Sequence, residues 1–213
     1  TNTIVDGDSA CQALTWEETH DAIDAMKEAK VFITGFGMPF CKALDGAKIA
    51  KEEYGMTTFC NVSPLPSEQM GNLSFLDYMV LNDVEAKTLC DLPEDTDESS
   101  IDILKQIKEK YHCKGVIMTC SSKGSAVLDG DDYWEVAPTP VKAVDTIGAG
   151  DGYLAAVAAN LVWGKDLREA TEWASKYAAY KVTRPGSMTK KPGCGYPQKE
   201  EVGAFMRQLE KHL

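Results

Sequence analysis

The sequence has no apolar run of the roughly 20 residues that a membrane-spanning helix requires, so a membrane span is excluded. Basic residues are also few. Against 33 aspartates and glutamates stand 22 lysines and arginines, the net charge is −11, and no basic cluster occurs, which argues against nucleic-acid binding as the main role. Backbone dipoles or a metal can still outweigh this overall field. Any phosphate site must therefore be built locally.

Cysteines at metal-binding or redox spacing are missing. The seven cysteines are odd in number and scattered, without a C-x-x-C, which predicts reduced and mostly buried thiols in a cytoplasmic protein. His112 and Cys113 are adjacent, but no second pair stands at ligand spacing, so we expect no structural zinc. The first residues show neither a secretory signal nor an initiator methionine. Removal of Met before Thr1, or a missing upstream segment, would explain the latter.

Apolar runs of strand type alternate with helical patterns along the chain, which predicts an α/β fold with a mostly parallel sheet and crossovers on both faces. The predicted strands are VFITGFG (31–37), MTTFCNV (56–62), LDYMVLN (76–82), GVIMTCSS (115–122) and the hairpin SAVLDGDDYWEVA (125–137). The predicted helices are 14–30, which begins with a capping box of Thr15 and Glu18, then 41–55, 83–90, 101–115, 152–164, 167–183 and 199–213. The glycine-rich loop 185–197 is either a ligand lid or a plain connection.

The stretch DTIGAGDG (145–152) places small residues between two carboxylates, directly before a helical pattern. Gly148, Ala149 and Gly150 allow backbone N–H groups and the helix N-terminus to converge on an anionic oxygen. Asp151 beside that point suits phosphoryl transfer, in which a carboxylate takes the proton of an attacking hydroxyl. The alternative is an N-cap aspartate after a tight turn. Neither the G-K-[ST] of a P-loop nor a G-x-G-x-x-G is present.

Four collinear segments together resemble the ribokinase-like (PfkB) carbohydrate kinase family. VDTIGAGDGYLAAVAANL (144–161) is similar to the family pattern D-T-x-G-A-G-D, and VLNDVEAKTLC (80–90) to its N-x-x-E segment. VIMTCSSKGSAV (116–127) resembles its nucleotide loop, and AAYKVTRPGS (178–187) its A-V-T-R-x-G-A stretch. The resemblance implies a three-layer α/β/α sandwich. Residues 1–213 would be its C-terminal ATP-binding and catalytic portion, without the N-terminal strands and the β-lid.

The resemblance also implies roles for individual residues. Asp151 would be the catalytic base, and Gly148, Ala149 and Gly150 would form the anion hole. Asn82 and Glu85 would organise Mg²⁺ and its waters, although the two residues on their own fit an N-cap followed by a first-turn acid. The residues that would contact the nucleotide are Thr119, Ser121, Gly124 and Ser175, the last near the adenine unless it is an exposed helix serine.

The resemblance also implies a monovalent cation, K⁺, near the anion hole, which it would strengthen electrostatically. Asp145 would take part in this site unless it only braces the loop. The other ligands would be the carbonyl of Ile147 and carbonyls around Lys181, Arg184 and Gly186.

Three features depart from the family pattern. Ser121 stands where the nucleotide loop usually has glycine, and Gly37 stands where ribokinases carry a glutamate that contacts ribose. The family's N-terminal third, with the sugar-recognition motif and the usual dimer contacts, is absent. We therefore expect a fragment of a longer kinase whose complete form is a homodimer.

The expected function is transfer of the γ-phosphate of ATP to a hydroxyl of a pentose or related sugar, in the cytoplasm and without a nucleic-acid or membrane partner. Alternatives are an adenosine-type nucleoside kinase, a catalytically silent relative that serves as a nucleotide-binding or scaffold protein, and a generic nucleotide-binding α/β domain. We expect the isolated chain to bind ATP weakly and to turn over sugar negligibly.

Overall fold

A computed structural model describes residues 13–36, 40–67, 69–187, 189 and 191–209. The expectations for Cys11, for Gly37 and for the first residues concern positions outside these ranges, and the Cys41 side chain is also outside the description. The helices within the ranges are α1 (Trp16–Asp24), α2 (Phe40–Glu52), α3 (Asp83–Leu89), α4 (Ser100–Tyr111), α5 (Ala149–Val162), α6 (Leu167–Val182) and α7 (Lys199–Leu209). The strands are β1 (Val31–Gly35), β2 (Thr57–Asn61), β3 (Tyr78–Asn82), β4 (Gly115–Thr119), β5 (Ser125–Asp129) and β6 (Asp132–Val136).

The strands form one sheet in the order β1-β2-β3-β4-β5-β6, in a three-layer and mostly parallel α/β fold. Strands β1 and β2 are parallel with Val31 opposite Thr57, and β2 and β3 are parallel with Phe59 opposite Tyr78. Parallel neighbours need crossover connections, and the alternation of strand and helix patterns in the sequence supplies them. The predicted fold class is therefore confirmed.

Helix starts follow the local chemistry of the sequence. Thr15 and Glu18 form the predicted capping box at α1, each side chain accepting a hydrogen bond from the other residue's backbone N–H. Ser99 and Asp166 accept backbone N–H groups in the same way at α4 and α6. Because a capping oxygen satisfies an N–H that the helix leaves unpaired, these starts are specified by a few residues each.

The end of α4 differs from the prediction. Its cap is His112 in the left-handed region (φ +60°), and Gly115 belongs to β4 rather than to the helix end. A Cβ on Gly115 would lie 2.4 Å from the carbonyl oxygen of Leu128 and 3.0 Å from the Tyr78 ring. Gly115 is therefore required by the close approach of a neighbouring strand and not by the helix turn.

The chain divides into two compact units. Unit 1 contains the described residues within Thr1–Ile117 and Leu128–Asp131, and unit 2 those within Met118–Val127 and Asp132–Leu213. In unit 1, Ile23 of α1 packs with Ile49 and Met56. The buried carboxylate of Asp77 accepts hydrogen bonds from the Lys51 ammonium at 2.8 Å and from the Thr58 backbone N–H at 2.9 Å. A buried charge is tolerated there because it is both paired and hydrogen-bonded.

Unit 2 is built on the packing of α5 against α6. Both helices bury small side chains at helical spacing, so their backbones approach closely. The Trp134 indole N–H donates to Thr171 Oγ1 at 3.2 Å, which ties β6 to α6. Most of the residues singled out in the sequence analysis lie in this unit.

Candidate functional site

Helix α5 begins without a side-chain cap. Its N-cap is Gly148 in the left-handed region (φ +74°), with no side-chain hydrogen bond to the first turn. The first-turn N–H groups of a helix have no acceptor within the helix, and they carry the positive end of its dipole. The Ala149 N–H donates to the Thr146 carbonyl at 3.1 Å, and no side chain caps the N–H groups that follow it. DTIGAGDG thus leads into a helix N-terminus that is bare of side-chain caps, the geometry that suits an anionic oxygen.

The glycines of this stretch have different surroundings. A Cβ on Gly148 would lie 2.3 Å from Tyr196 Oη, and a Cβ on Gly152 would lie 3.1 Å from the Tyr177 ring, so both are enclosed by protein. A Cβ on Gly150 would meet no atom within 4 Å, and its φ is not positive. The fold requires glycine at 148 and favours it at 152, whereas at 150 the fold makes no such demand.

Asp151 lies in the first turn of α5, is exposed, and is not the N-cap. The alternative interpretation of Asp151 as a capping aspartate is therefore wrong, because the cap is Gly148. Among the described residues, no partner donates a hydrogen bond to the Asp151 carboxylate. An accessible carboxylate beside a bare helix N-terminus is free to accept a proton from a bound hydroxyl.

The candidate nucleotide loop follows β4. Thr119 ends the strand, and Ser121 lies in a short 3₁₀ turn (Ser121–Lys123) with φ +51°, a left-handed conformation that side chains rarely adopt. Gly124 has φ +93°, and a Cβ there would lie 2.0 Å from the Val136 carbonyl oxygen. The conformation at position 121 explains why glycine suits it, and Ser121 keeps that conformation nonetheless.

Contacts within unit 2 bring the candidate segments together. The hydroxyls of Ser125, next to the loop, and Tyr153, in α5, are hydrogen-bonded at 2.9 Å, and both are buried. Burial raises the pKa of Tyr153 to about 12, so this hydroxyl keeps its proton. Ser175 of α6 donates to the Ala137 carbonyl at 3.3 Å, one residue beyond the Val136 carbonyl that abuts Gly124.

Asn82 and Glu85 lie in unit 1 at the start of α3. The Glu85 N–H donates to Asn82 Oδ1 at 2.9 Å, and the Asn82 N–H donates to Glu85 Oε2 at 2.8 Å. This capping box is the N-cap and first-turn acid that the two residues fit on their own, and it uses both side chains. It leaves Glu85 Oε1 as an oxygen for a water-mediated contact, which is the kind of contact that Mg²⁺ favours.

The residues of the expected cation site converge on Asp145. Its carboxylate accepts the Ile147 N–H at 2.9 Å and the Gly186 N–H at 2.7 Å. These two hydrogen bonds lower the pKa of Asp145. The Asp145 carbonyl accepts the Lys181 ammonium at 3.2 Å. Asp145 therefore braces the loop, which is one of the two roles that the sequence analysis considered for it.

Arg184 has a different environment. Its guanidinium donates to the Cys194 carbonyl at 2.9 Å and to the Gly195 carbonyl at 3.0 Å, and it pairs with Glu201 at 3.0 Å. Tyr177 Oη donates to the Pro197 carbonyl at 3.0 Å. The described part of loop 185–197 is thus tied down beside the start of α5.

Tyr196 is the site residue that the sequence analysis missed. Its hydroxyl is the nearest group to Gly148, and its ring lies 3.2 Å from the position of a Cβ on Gly152. Burial, and then the nearby charge of Asp151, raise the pKa of Tyr196. The sequence offers one faint signal for it: a tyrosine between Gly195 and Pro197 has no helix or strand in which to pack.

Other expectations concern metals, thiols and membranes. The described cysteines are free thiols, and burial raises the pKa of Cys60 to about 12 and of Cys113 to about 11. Within the described ranges, no group of three or more histidine, cysteine, aspartate or glutamate side chains could hold a metal ion. In the same ranges, none of the helices has the length and apolar character to cross a membrane.

Comparison with known proteins identifies the class to which this fold and these loops belong. The model of the pfkB family carbohydrate kinases matches residues 1–194. The chain belongs to this family, which confirms the resemblance drawn from the four motifs.

Individual relatives place it near the ribokinases. The ribokinase of Staphylococcus aureus is 26% identical over 90% of this chain and 62% of its own length. The deoxyribokinase of Salmonella typhimurium is 25% identical, over 96% of this chain and 65% of its own length. The structure of Arabidopsis thaliana ribokinase complexed with ribose and ATP matches with a TM-score of 0.74 at 25% identity, covering 88% of this chain and 59% of that one. The chain spans about three fifths of the length of these proteins.

Proposed function

We propose that this chain carries the phosphate-binding and catalytic part of an ATP-dependent sugar kinase. Gly148, Ala149 and Gly150 form the anion hole, and Asp151 is the catalytic base. Membership of the pfkB family supports the reaction class. The ribokinase and deoxyribokinase relatives favour a pentose over a nucleoside as the acceptor.

The observation that carries the proposal is the open space at Gly150. A glycine within a helix is less stable than alanine by about 0.5–1 kcal/mol. Nothing in the described structure lies where its Cβ would be. A residue that costs stability and is not required for packing is accounted for by a ligand that must come close to the backbone, and a phosphate at a helix N-terminus does so.

The chemistry assigned to the chain is proton removal and charge stabilisation. Asp151 takes the proton of the sugar hydroxyl as that oxygen attacks the γ-phosphorus of ATP. The bond from the γ-phosphorus to the bridging oxygen breaks, and ADP leaves with the electron pair. First-turn N–H groups of α5 hold the oxygens of the transferred group, where negative charge must be balanced in the transition state.

Other residues have supporting roles in the proposal. Thr119, Ser121 and Gly124 line the nucleotide phosphates and ribose, and Ser175 lies near the adenine. When Mg²⁺ is bound with ATP it neutralises phosphate charge, and Asn82 with Glu85 would hold its waters.

Asp151→Asn in the full-length protein is the test of the proposed base, because we expect the isolated chain to turn over sugar negligibly. We expect ATP affinity not to fall, because the amide has the same shape and removes a charge that repels the phosphates. Sugar-dependent ADP release should fall by roughly 10²–10⁴-fold, the usual contribution of a general base. Ribose, deoxyribose, fructose and adenosine are compared as acceptors in the same coupled assay. Turnover by Asp151→Asn at the wild-type rate would remove the mechanism.

The location of the proposed phosphate site can be tested without measuring turnover. In a titration of the ¹⁵N-labelled chain with ATP and Mg²⁺, the largest amide shifts should fall on residues 148–151 and 119–124. Shifts confined to other loops would refute the proposed phosphate site. In the full-length protein, ATP bound at these loops without ADP release for any acceptor would instead favour the catalytically silent, nucleotide-binding alternative.

A further inference from the structure

Lys181 is the one fully buried lysine among the described residues, with a relative exposure of 0%. Lysine is almost never buried completely unless its charge is paired, because an ammonium taken out of water loses a large hydration energy. Within the described ranges the ammonium makes one hydrogen bond, and its acceptor is a neutral backbone carbonyl. The Lys181 ammonium donates to the Asp145 carbonyl at 3.2 Å.

The ammonium therefore lies at the residue to which the family resemblance assigns the monovalent cation. Asp145 is a junction in unit 2, since its carboxylate accepts one N–H from the loop before α5 and one from the loop after α6. A positive charge is thus already built into this junction.

Several of the groups that would bind a free cation are engaged in other contacts. The Asp145 carbonyl faces the Lys181 ammonium, and the Lys181 carbonyl accepts the Arg184 N–H at 2.9 Å. Each oxygen of the Asp145 carboxylate accepts a backbone N–H. A potassium ion beside Asp145 would also be repelled by the ammonium. Occupied acceptors and a neighbouring positive charge together make Asp145 a poor site for K⁺.

We propose that the Lys181 side chain replaces the monovalent cation in this protein, and that no K⁺ binds at Asp145. The tethered ammonium holds the loop that leads into the bare N-terminus of α5, at a fixed position and without dependence on the salt present. Its effect on a phosphate rests on the proposed function, whereas the replacement itself rests on the geometry around Asp145.

The test measures thermal unfolding without nucleotide, in KCl and in tetramethylammonium chloride at equal ionic strength. Wild type should have the same Tm in both salts, to within about 1 °C. Lys176→Ala, an exposed lysine variant on the same helix, is the control and should behave like wild type. Because no nucleotide is present, failure of this inference is distinguishable from failure of the proposed function.

Two variants of Lys181 distinguish the effect of losing the charge from the effect of leaving an empty space. Lys181→Ala opens room beside the Asp145 carbonyl, so its Tm should be lowered in tetramethylammonium and recover by about 3 °C or more in KCl. Lys181→Met removes the charge but still fills the space, so it should gain no such recovery. A K⁺-specific stabilisation of wild type, or a Lys181→Ala variant that responds to the two salts as wild type does, would overturn the inference.

A direct binding measurement covers the case in which Lys181→Ala does not fold. Thallium(I) is a potassium mimic with an NMR signal, and it is titrated into wild type. The inference requires no saturable Tl⁺ binding that K⁺ displaces. Displaceable binding with shifts at the Asp145, Ile147 and Gly186 amides would refute it.

Discussion

Alanine substitutions at Gly148 and Gly150 should have opposite effects on stability, although only one residue separates them. At Gly148, alanine would take a φ of +74°, a conformation that costs an L-residue about 1–2 kcal/mol. Its Cβ would also lie 2.3 Å from Tyr196 Oη, and overpacking of that kind costs about 1–3 kcal/mol. We therefore expect Gly148→Ala to lower the free energy of unfolding by about 2–5 kcal/mol.

The contribution of Tyr196 can be isolated by a double-mutant cycle. Tyr196→Phe removes the hydroxyl and leaves contacts of 3.1 Å to the ring and 3.3 Å to Ser187 Cβ, which small shifts can accommodate. Gly148→Ala should then cost about 1–2 kcal/mol less in the Tyr196→Phe background than in wild type. Urea unfolding followed by circular dichroism measures all four proteins. A coupling energy near zero would show that the Tyr196 hydroxyl does not confine Gly148.

At Gly150 an alanine substitution should increase stability but weaken ligand binding. Alanine is the better helix former, so Gly150→Ala should raise the free energy of unfolding by about 0.5 kcal/mol. Its Cβ would stand where a phosphate approaches, so ATP affinity in calorimetric titration should fall about tenfold or more. Gly203→Ala, in α7, is the control and should be stabilising without changing ATP affinity. Wild-type ATP affinity in Gly150→Ala would refute the assignment of this glycine to a phosphate.

Two further predictions concern stability. Ser121→Gly relieves the left-handed strain at φ +51° and should raise the free energy of unfolding by up to about 1 kcal/mol, whereas Ser122→Gly in the same turn should lower it by about 0.5–1 kcal/mol. If both lower it, the backbone at 121 is not strained. The Gln198 N–H and then Arg184 lower the pKa of Glu201 from its ordinary 4.5, so the stability from this carboxylate is present above that pH and is lost as the pH falls through the lowered pKa. Thermal unfolding across acidic pH should therefore show a shallower loss for Glu201→Gln, and an unchanged acid limb would contradict the pairing.

The elements of the fold could be predicted because their signals are local. A capping box occupies four successive residues, as Thr15 and Glu18 do, and the alternation of strand and helix patterns needs no knowledge of distant contacts. The error at Gly115 has the complementary cause. A glycine after a lysine-rich helix end fits a C-cap. Gly115 is instead required because a backbone oxygen of another strand leaves no room for a Cβ, and the local sequence does not indicate that contact.

Those residues of the candidate site that belong to a family motif could be predicted from the sequence. The family pattern named Gly148, Gly150 and Asp151, and the bare start of α5 agrees with it. Tyr196 could not be found in this way, because its relation to Gly148 depends on how a long loop folds back. For Lys181 the pattern indicated the backbone carbonyl and was silent on the side chain, which is the part that reaches Asp145.

The end of α6 organises both loops that meet at the candidate site. Lys181 contacts the Asp145 carbonyl, Gly186 donates to the Asp145 carboxylate, and Arg184 holds the Cys194 and Gly195 carbonyls next to Tyr196. One short segment therefore positions the loop that enters α5 and the loop that packs against its first turn. Because the N–H groups of a helix start stabilise an anion only when they are fixed in advance, the rigidity of this segment is part of the proposed phosphate site. Substitutions at Lys181 or Arg184 should accordingly affect Gly148, although neither residue lies in the loop that enters α5.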